Sequence, residues 1–241
     1  MIVTTSAIVL KAIKYGETSL IVKCYTATNG PVSYIVKGAR SSQKKGMKMA
    51  YFQPLTLLEI SSNHKNKGGL ETMRSAKILH PYSSIPVTIF KSSIAIFLSE
   101  VLYTTLLEEE ANQELYDFIE GAMNWLDGHD QIANFHLLFL ITLSKYLGFY
   151  PDTSNIEFPY FNLEEGTFSY TKTTSMSVKG EAVEIFKLLL GTNFDELSSH
   201  SINSNQRQSI IELLMNYFKL HLHGFEKPKS LRILHEIFQE K

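Results

Sequence analysis

Between Lys37 and Lys48 the chain carries five positive charges in twelve residues and no acid: Lys37, Arg40, Lys44, Lys45 and Lys48. Lysine and arginine at this density neutralise phosphates, each contact releasing a counterion from a nucleic-acid backbone. Beside them stand Tyr34, Tyr51 and Phe52, whose π-faces can take a stacked base. Tyr51 is the ring included in the candidate site, although each of these aromatics is also an ordinary core residue. Lys14, Arg74 and Lys77 are candidate flanking contacts. An isolated basic loop is equally well a solvated surface that aids solubility, so the surroundings must decide between the two.

Other chemistry finds less support. His221 and His223 are two apart on an expected helix, which turns them roughly 200° from each other and makes them poor joint metal ligands. Cys24 alternates with Leu20 and Val22 and is expected as a small core residue; as the single cysteine it leaves no intrachain disulfide and fits a reducing compartment. The acidic run Glu108, Glu109 and Glu110, with Glu114, Asp117 and Glu120, has the oxygen ligands for magnesium, but it also fits the solvated face of helices carrying Leu115, Phe118 and Ile119. There is no Gly-Lys-Ser/Thr phosphate loop, Gly-x-Gly-x-x-Gly, His-Glu-x-x-His or Gly-x-Ser-x-Gly. The expectation is a protein that is not an enzyme and needs no cofactor or metal.

The basic loop belongs to a basic half. Residues 1–80 hold twelve basic and three acidic residues, a balance of +9, and the remainder holds eleven basic and 21 acidic, a balance of −10, within a net charge of −1 over 241 residues. An apolar content of 44% with 20% charged residues is that of a folded chain. The N-terminal apolar stretch is broken by Lys11 and Lys14, unlike a signal peptide, and Leu137–Leu143 is far shorter than the roughly 20 residues of a membrane span. A cytoplasmic protein with no membrane partner is expected.

The elements that must position these residues follow from periodicity. Strands are expected at Thr4 to Tyr15, Thr18 to Thr26, Val32 to Lys37, Leu55 to Ile60 and Leu70 to Leu79, with Asn29-Gly30-Pro31 as a turn. In the third, Val32, Tyr34 and Val36 alternate with Ser33, Ile35 and Lys37. Five short strands without helical crossovers predict a small antiparallel barrel of the OB type, other five-stranded barrels remaining open. After Pro86 the period becomes helical, with Phe90, Ile94, Phe97, Leu98, Val101 and Leu102 on one stripe. Further helices are expected from Gln113 to Leu126, stopped by Asp127-Gly128, from Ile132 to Leu147 as the central helix, and at Gly180 to Leu190, Gln206 to Leu222 and Ser230 to Phe238. Tyr150 to Ser177 is a packed excursion or small hairpin. The fold class is α+β: an OB-type domain over 1–80 and an all-α helical domain over 81–241.

The order of these parts resembles the bacterial recombination mediator RecO family. The resemblance is carried by Thr5-Ser-Ala-Ile-Val-Leu10, Tyr15-Gly-Glu-Thr-Ser19, Tyr25-Thr26 with Gly30, and Lys37-Gly-Ala-Arg-Ser41 leading to Gln53-Pro-Leu-Thr56. It continues through Phe139-Leu-Ile-Thr-Leu-Ser-Lys-Tyr-Leu-Gly-Phe-Tyr-Pro-Asp152 and Lys229-Ser-Leu-Arg-Ile-Leu-His-Glu-Ile-Phe238, so it spans the chain. It implies DNA repair and recombination: binding of single- and double-stranded DNA, annealing of complementary strands, and work with RecR to load RecA onto strands coated by single-strand-binding protein, in a nucleoid-associated cytoplasmic setting. It also implies an apolar pocket in the helical domain for the C-terminal tail of single-strand-binding protein, for which Lys227, Lys229 and Arg232 near Phe225 and Leu231 are candidates. Many members bind zinc through four cysteines after the central helix. Residues 150–177 contain neither Cys nor His, and Phe158, Tyr160, Phe161, Phe168 and Tyr170 are the expected replacement for that metal. Two competing hypotheses are an OB-type scaffold for protein partners that binds no nucleic acid, and a metal-dependent nuclease using the acidic run.

Overall fold

The computed structural model describes residues 2–41, 47–63, 69–106 and 110–239. Its first five strands are β1 (Ile2–Tyr15), β2 (Ser19–Thr26), β3 (Gly30–Val36), β4 (Leu57–Asn63) and β5 (Glu71–Ile78). They close into a barrel in the order β1-β2-β3-β5-β4, with every pairing antiparallel except β3 with β5. This is the OB-type barrel that the strand pattern predicts. Alternation in β3 holds: Val32, Tyr34 and Val36 face a core shared with Ala7, Val9, Leu20 and Cys24. The fourth strand starts later than expected. Leu55 is fully buried at φ 59, a left-handed conformation costly for a branched side chain, and its N–H donates to the Val9 carbonyl at 2.8 Å, so it belongs to the turn that precedes β4.

The chain groups into two compact units, one of residues 1–128 with 228–230, the other of 129–227 with 231–241. The change from strands to helices falls where the charge changes, but α1 (Ile89–Thr105) and α2 (Gln113–Gly128) are packed within the barrel's unit. A single buried carboxylate explains part of this. Asp127, in the last turn of α2, accepts from the backbone N–H groups of Ser83, Ser84 and Ile85 at 2.8, 2.8 and 2.9 Å. The segment that leaves the barrel is thereby pinned to the end of the second helix. Residues 228–230 return to the same unit, where the Ser230 N–H and Oγ donate to Glu100 Oε2 of α1 at 3.0 and 2.9 Å.

In the second unit α3 (Phe135–Tyr146) is buried from Phe135 to Ile141 on every side, as its apolar run predicts. It carries His136, which burial keeps neutral by pushing its pKa down to about 3. α5 (Ser204–His221) packs against α3, and α4 (Glu181–Leu189) and α6 (Leu231–Gln239) pack against α5. A short 3-10 helix at Phe194–Ser199, which the periodicity does not predict, starts at a reciprocal cap formed by Asn193 and Glu196. The excursion after α3 is a three-stranded sheet of β6 (Tyr160–Asn162), β7 (Thr167–Ser169) and β8 (Ser177–Val178). Phe161 packs against Phe168, Phe186 and Tyr217 at centroid distances of 4.9, 5.1 and 5.4 Å.

Gly166 makes the β6–β7 turn at φ 66, and a Cβ there would strike the hydroxyl of Tyr217, which is buried and donates to the Phe149 carbonyl at 2.7 Å. Gly166→Ala is expected to destabilise the second unit by about 2–3 kcal/mol, combining left-handed strain with a displaced buried hydrogen bond. A urea titration followed by circular dichroism checks this. An unchanged midpoint would show that the turn yields freely.

Candidate nucleic-acid interface

The basic residues collect at the end of the barrel where the β1–β2 turn lies. Lys14 is opposite Leu20, and Leu20 is opposite Val36, so Lys37 leaves β3 beside that turn. Arg40 is tied to it twice: its N–H donates to Thr18 O at 2.9 Å and its Nη1 to Gly16 O at 3.1 Å. The Met49 N–H donates to Ala39 O at 3.1 Å, which brings Lys48 to the same loop. In the parallel pairing Ile35 is level with Thr72, and two residues on from this pair come Lys37 and Arg74. The register between β4 and β5 skips Arg74, which is a bulged residue and exposed. Lys77 is set apart, because it stands opposite Glu59 across β4–β5. Lys14, Lys37, Arg40, Lys48, Arg74 and Lys77 are all exposed, whereas Lys44 and Lys45 lie outside the described residues.

The aromatics near the loop are less available. Tyr34 and Phe52 are buried in the barrel core, and Tyr51 is half-buried with its ring packed against that core. Three other side chains border the site without any sign of it in the loop sequence. Lys11 and Lys23 stand directly opposite each other on the outer face of β1 and β2. Their ammonium groups lie 4.3 and 5.9 Å from the centroid of the Tyr103 ring on α1. Burial lowers the pKa of Lys23. Like charges paired across strands repel, and the electron-rich ring face offsets part of that repulsion. An anionic ligand here would relieve the rest. The third is Tyr15, which is 51% exposed at the end of β1. Strand register is the signal that finds all three.

The candidate cluster for partner binding is divided. Lys227 pairs with Glu212 at 2.6 Å and Arg232 with Glu236 at 3.5 Å, both in the second unit, while Lys229 is exposed in the first. Phe225 and Leu231 are buried. Among the described residues no group of three or more metal-ligating side chains is present, and Glu108 and Glu109 of the acidic run lie outside those residues. His221 stacks on Phe149 and its Nε2 lies 2.9 Å from the Leu163 carbonyl, while His223 follows the helix and is exposed. No helix among the described residues is long and apolar enough to cross a membrane.

Comparison with known proteins bears on both halves. A family model described as "Recombination protein O N terminal" matches residues 1–82, and one described as "Recombination protein O C terminal" matches residues 87–232. The DNA repair protein RecO of Flavobacterium psychrophilum is 50% identical over 238 residues, covering 99% of this chain and 100% of the relative. Those of Flavobacterium johnsoniae and Christiangramia forsetii are 48% and 41% identical, each over 238 residues and with the same coverage.

Proposed function

Because the chain belongs to the recombination protein O family, we propose that it acts in DNA repair by homologous recombination as a mediator with no chemical step of its own. Its barrel binds single- and double-stranded DNA, and the protein anneals complementary strands. With RecR it helps load RecA onto strands coated by single-strand-binding protein. The helical region carries the acidic excess, and we assign it to protein partners, including the C-terminal tail of single-strand-binding protein. We place this work in the cytoplasm, at the nucleoid.

The observation that carries the reading is the gathering of Lys14, Lys37, Arg40, Lys48 and Arg74 at one end of an OB-type barrel, with Lys11 and Lys23 on the adjoining outer face. OB barrels use the outer face of strands 2 and 3 and the loops between strands 1–2 and 4–5 to hold oligonucleotides. These cations border that region.

The test is annealing of two complementary strands coated with the cognate single-strand-binding protein, with and without its C-terminal tail. The protein is expected to accelerate annealing on strands coated by the intact coat protein and to lose that advantage when the tail is removed. No acceleration on either substrate would overturn the mediator reading.

A further inference from the structure

The β1–β2 turn consists of Gly16, Glu17 and Thr18, because the strand pairing ends with Tyr15 opposite Ser19. All of these turn residues are exposed, so the barrel core holds no side chain of the turn. Gly16 takes φ 56, a left-handed conformation that suits a tight reversal. An exposed tip of this kind moves freely unless something outside it binds its backbone. Here Arg40 binds it at both ends. Its backbone N–H donates to the Thr18 carbonyl at 2.9 Å and its Nη1 to the Gly16 carbonyl at 3.1 Å.

Arg40 can hold the turn because its own backbone is fixed on both sides. Ala39 before it is buried in the barrel core with Val36 and Phe52. The Ala39 carbonyl accepts from the Met49 N–H at 3.1 Å. After it, Ser41 donates its N–H and its Oγ to the Gly38 carbonyl at 3.0 and 2.8 Å. The guanidinium thus stands on a fixed base, and a charged donor makes a stronger hydrogen bond to a carbonyl than a neutral one does. The turn that it holds also carries Glu17, the only acid before Glu59. Where the turn points therefore decides whether a phosphate arriving at Lys14 and Lys37 meets that carboxylate as well.

We propose that Arg40 is a positioning residue: its guanidinium clamps the β1–β2 turn in the shape that receives a strand, and its contribution to affinity passes through that turn and not through a phosphate of its own. This role rests on the DNA-binding reading above, in which the loop between strands 1 and 2 of an OB barrel helps to hold the oligonucleotide. It sets Arg40 apart from Lys37 and Lys48, its neighbours in the basic run. A turn already held in its bound shape spares binding the entropy of ordering it.

The test has one arm without DNA and one with it, both on the full-length protein. In the free protein, nitrogen-15 relaxation should give Gly16, Glu17 and Thr18 order parameters near the value of about 0.85 typical of rigid backbone. In Arg40→Ala they should fall below about 0.6, and in Lys37→Ala they should stay at the wild-type level. Fluorescence anisotropy with an oligothymidylate then measures coupling to Lys14, the cation of β1 that lies next to the turn. Arg40→Ala should weaken binding about fivefold in the wild-type background and less than about twofold when Lys14 is already alanine. A direct phosphate contact predicts the opposite: an unchanged turn, and losses at Arg40 and Lys14 that add, each lowering the salt slope by about 0.7. Unchanged order parameters or additive losses overturn the clamp and leave the DNA-binding reading standing. If the wild-type protein binds no oligothymidylate at low salt, the DNA-binding reading falls and the part of Arg40 in binding falls with it. Arg40 is exposed, so its alanine variant should keep the wild-type melting curve, which is recorded alongside.

Discussion

Asp127→Ala is expected to destabilise the protein by roughly 2–4 kcal/mol, because it removes a charged acceptor shared by several hydrogen-bond donors. The carboxylate is 8% exposed and, beyond its three backbone donors, accepts from the hydroxyls of Ser83 and Ser84, each at 3.0 Å. Lys91, 3% exposed, donates to Ser84 Oγ at 2.7 Å and to the Asp127 carbonyl at 3.0 Å. Alanine would take the acceptor away from three backbone N–H groups, of which that of Ile85 is buried and those of Ser83 and Ser84 are part-buried. An acid in the last turn of a helix opposes the helix dipole, so the site exists for those donors and not for the helix. Burial alone would raise the pKa of Asp127, but the hydrogen bonds from Ser83, Ile85 and Ser84 outweigh it and hold the carboxyl well below the usual range. A depressed pKa contributes stability that is complete above the unfolded-state value near 4 and is lost as pH falls toward the folded one. Denaturant titrations at a series of pH values should therefore show the wild type weakening below about pH 4. That acid limb should be shallower in Asp127→Asn. Equal limbs would refute the assignment.

The second large effect is on binding. Replacing Lys11, Lys23, Lys37 and Arg74 together by alanine removes four candidate phosphate contacts from one barrel end and the face beside it. Each contact on a single strand adds about 0.7 to the magnitude of the slope of log affinity against log salt. The variant's slope should then be shallower by about 3, and its affinity at 0.1 M salt lower by a factor between about 100 and 1,000. Lys77→Ala is the internal control, because Lys77 already faces Glu59 across the sheet and should alter binding less than about twofold. A quadruple variant that binds like the wild type would place the interface elsewhere.

Periodicity conveys some of this architecture and omits the rest. Val32, Tyr34 and Val36 face inward as alternation requires, and α3 is central because its apolar residues leave no polar side. A bulge has no such signature. Ala7, Ile8, Val9 and Leu10 are all buried, and only the cross-strand register shows that the phase changes there and turns Ile13 and Tyr15 outward. Lys11 and Lys23 are twelve residues apart and meet only through that register, whereas the run from Lys37 to Lys48 is contiguous and visible in the chain itself. The pattern places a helix stop at Asp127-Gly128 after Leu126, whereas α2 runs two residues further and takes in both. The use of Asp127 as an anchor for residues 83–85 depends on a contact 42 to 44 residues away that no local pattern encodes. The charge division is likewise a property of composition. The barrel's unit extends through α2 because packing, not charge, sets compactness.

The most direct test of the barrel as a DNA grip is the affinity of the wild-type protein for a single-stranded oligonucleotide measured across a series of salt concentrations. The charges gathered at one barrel end predict tight binding at low salt and a log-log slope of about −3 or steeper. A slope near zero, or no detectable binding at low salt, would contradict it.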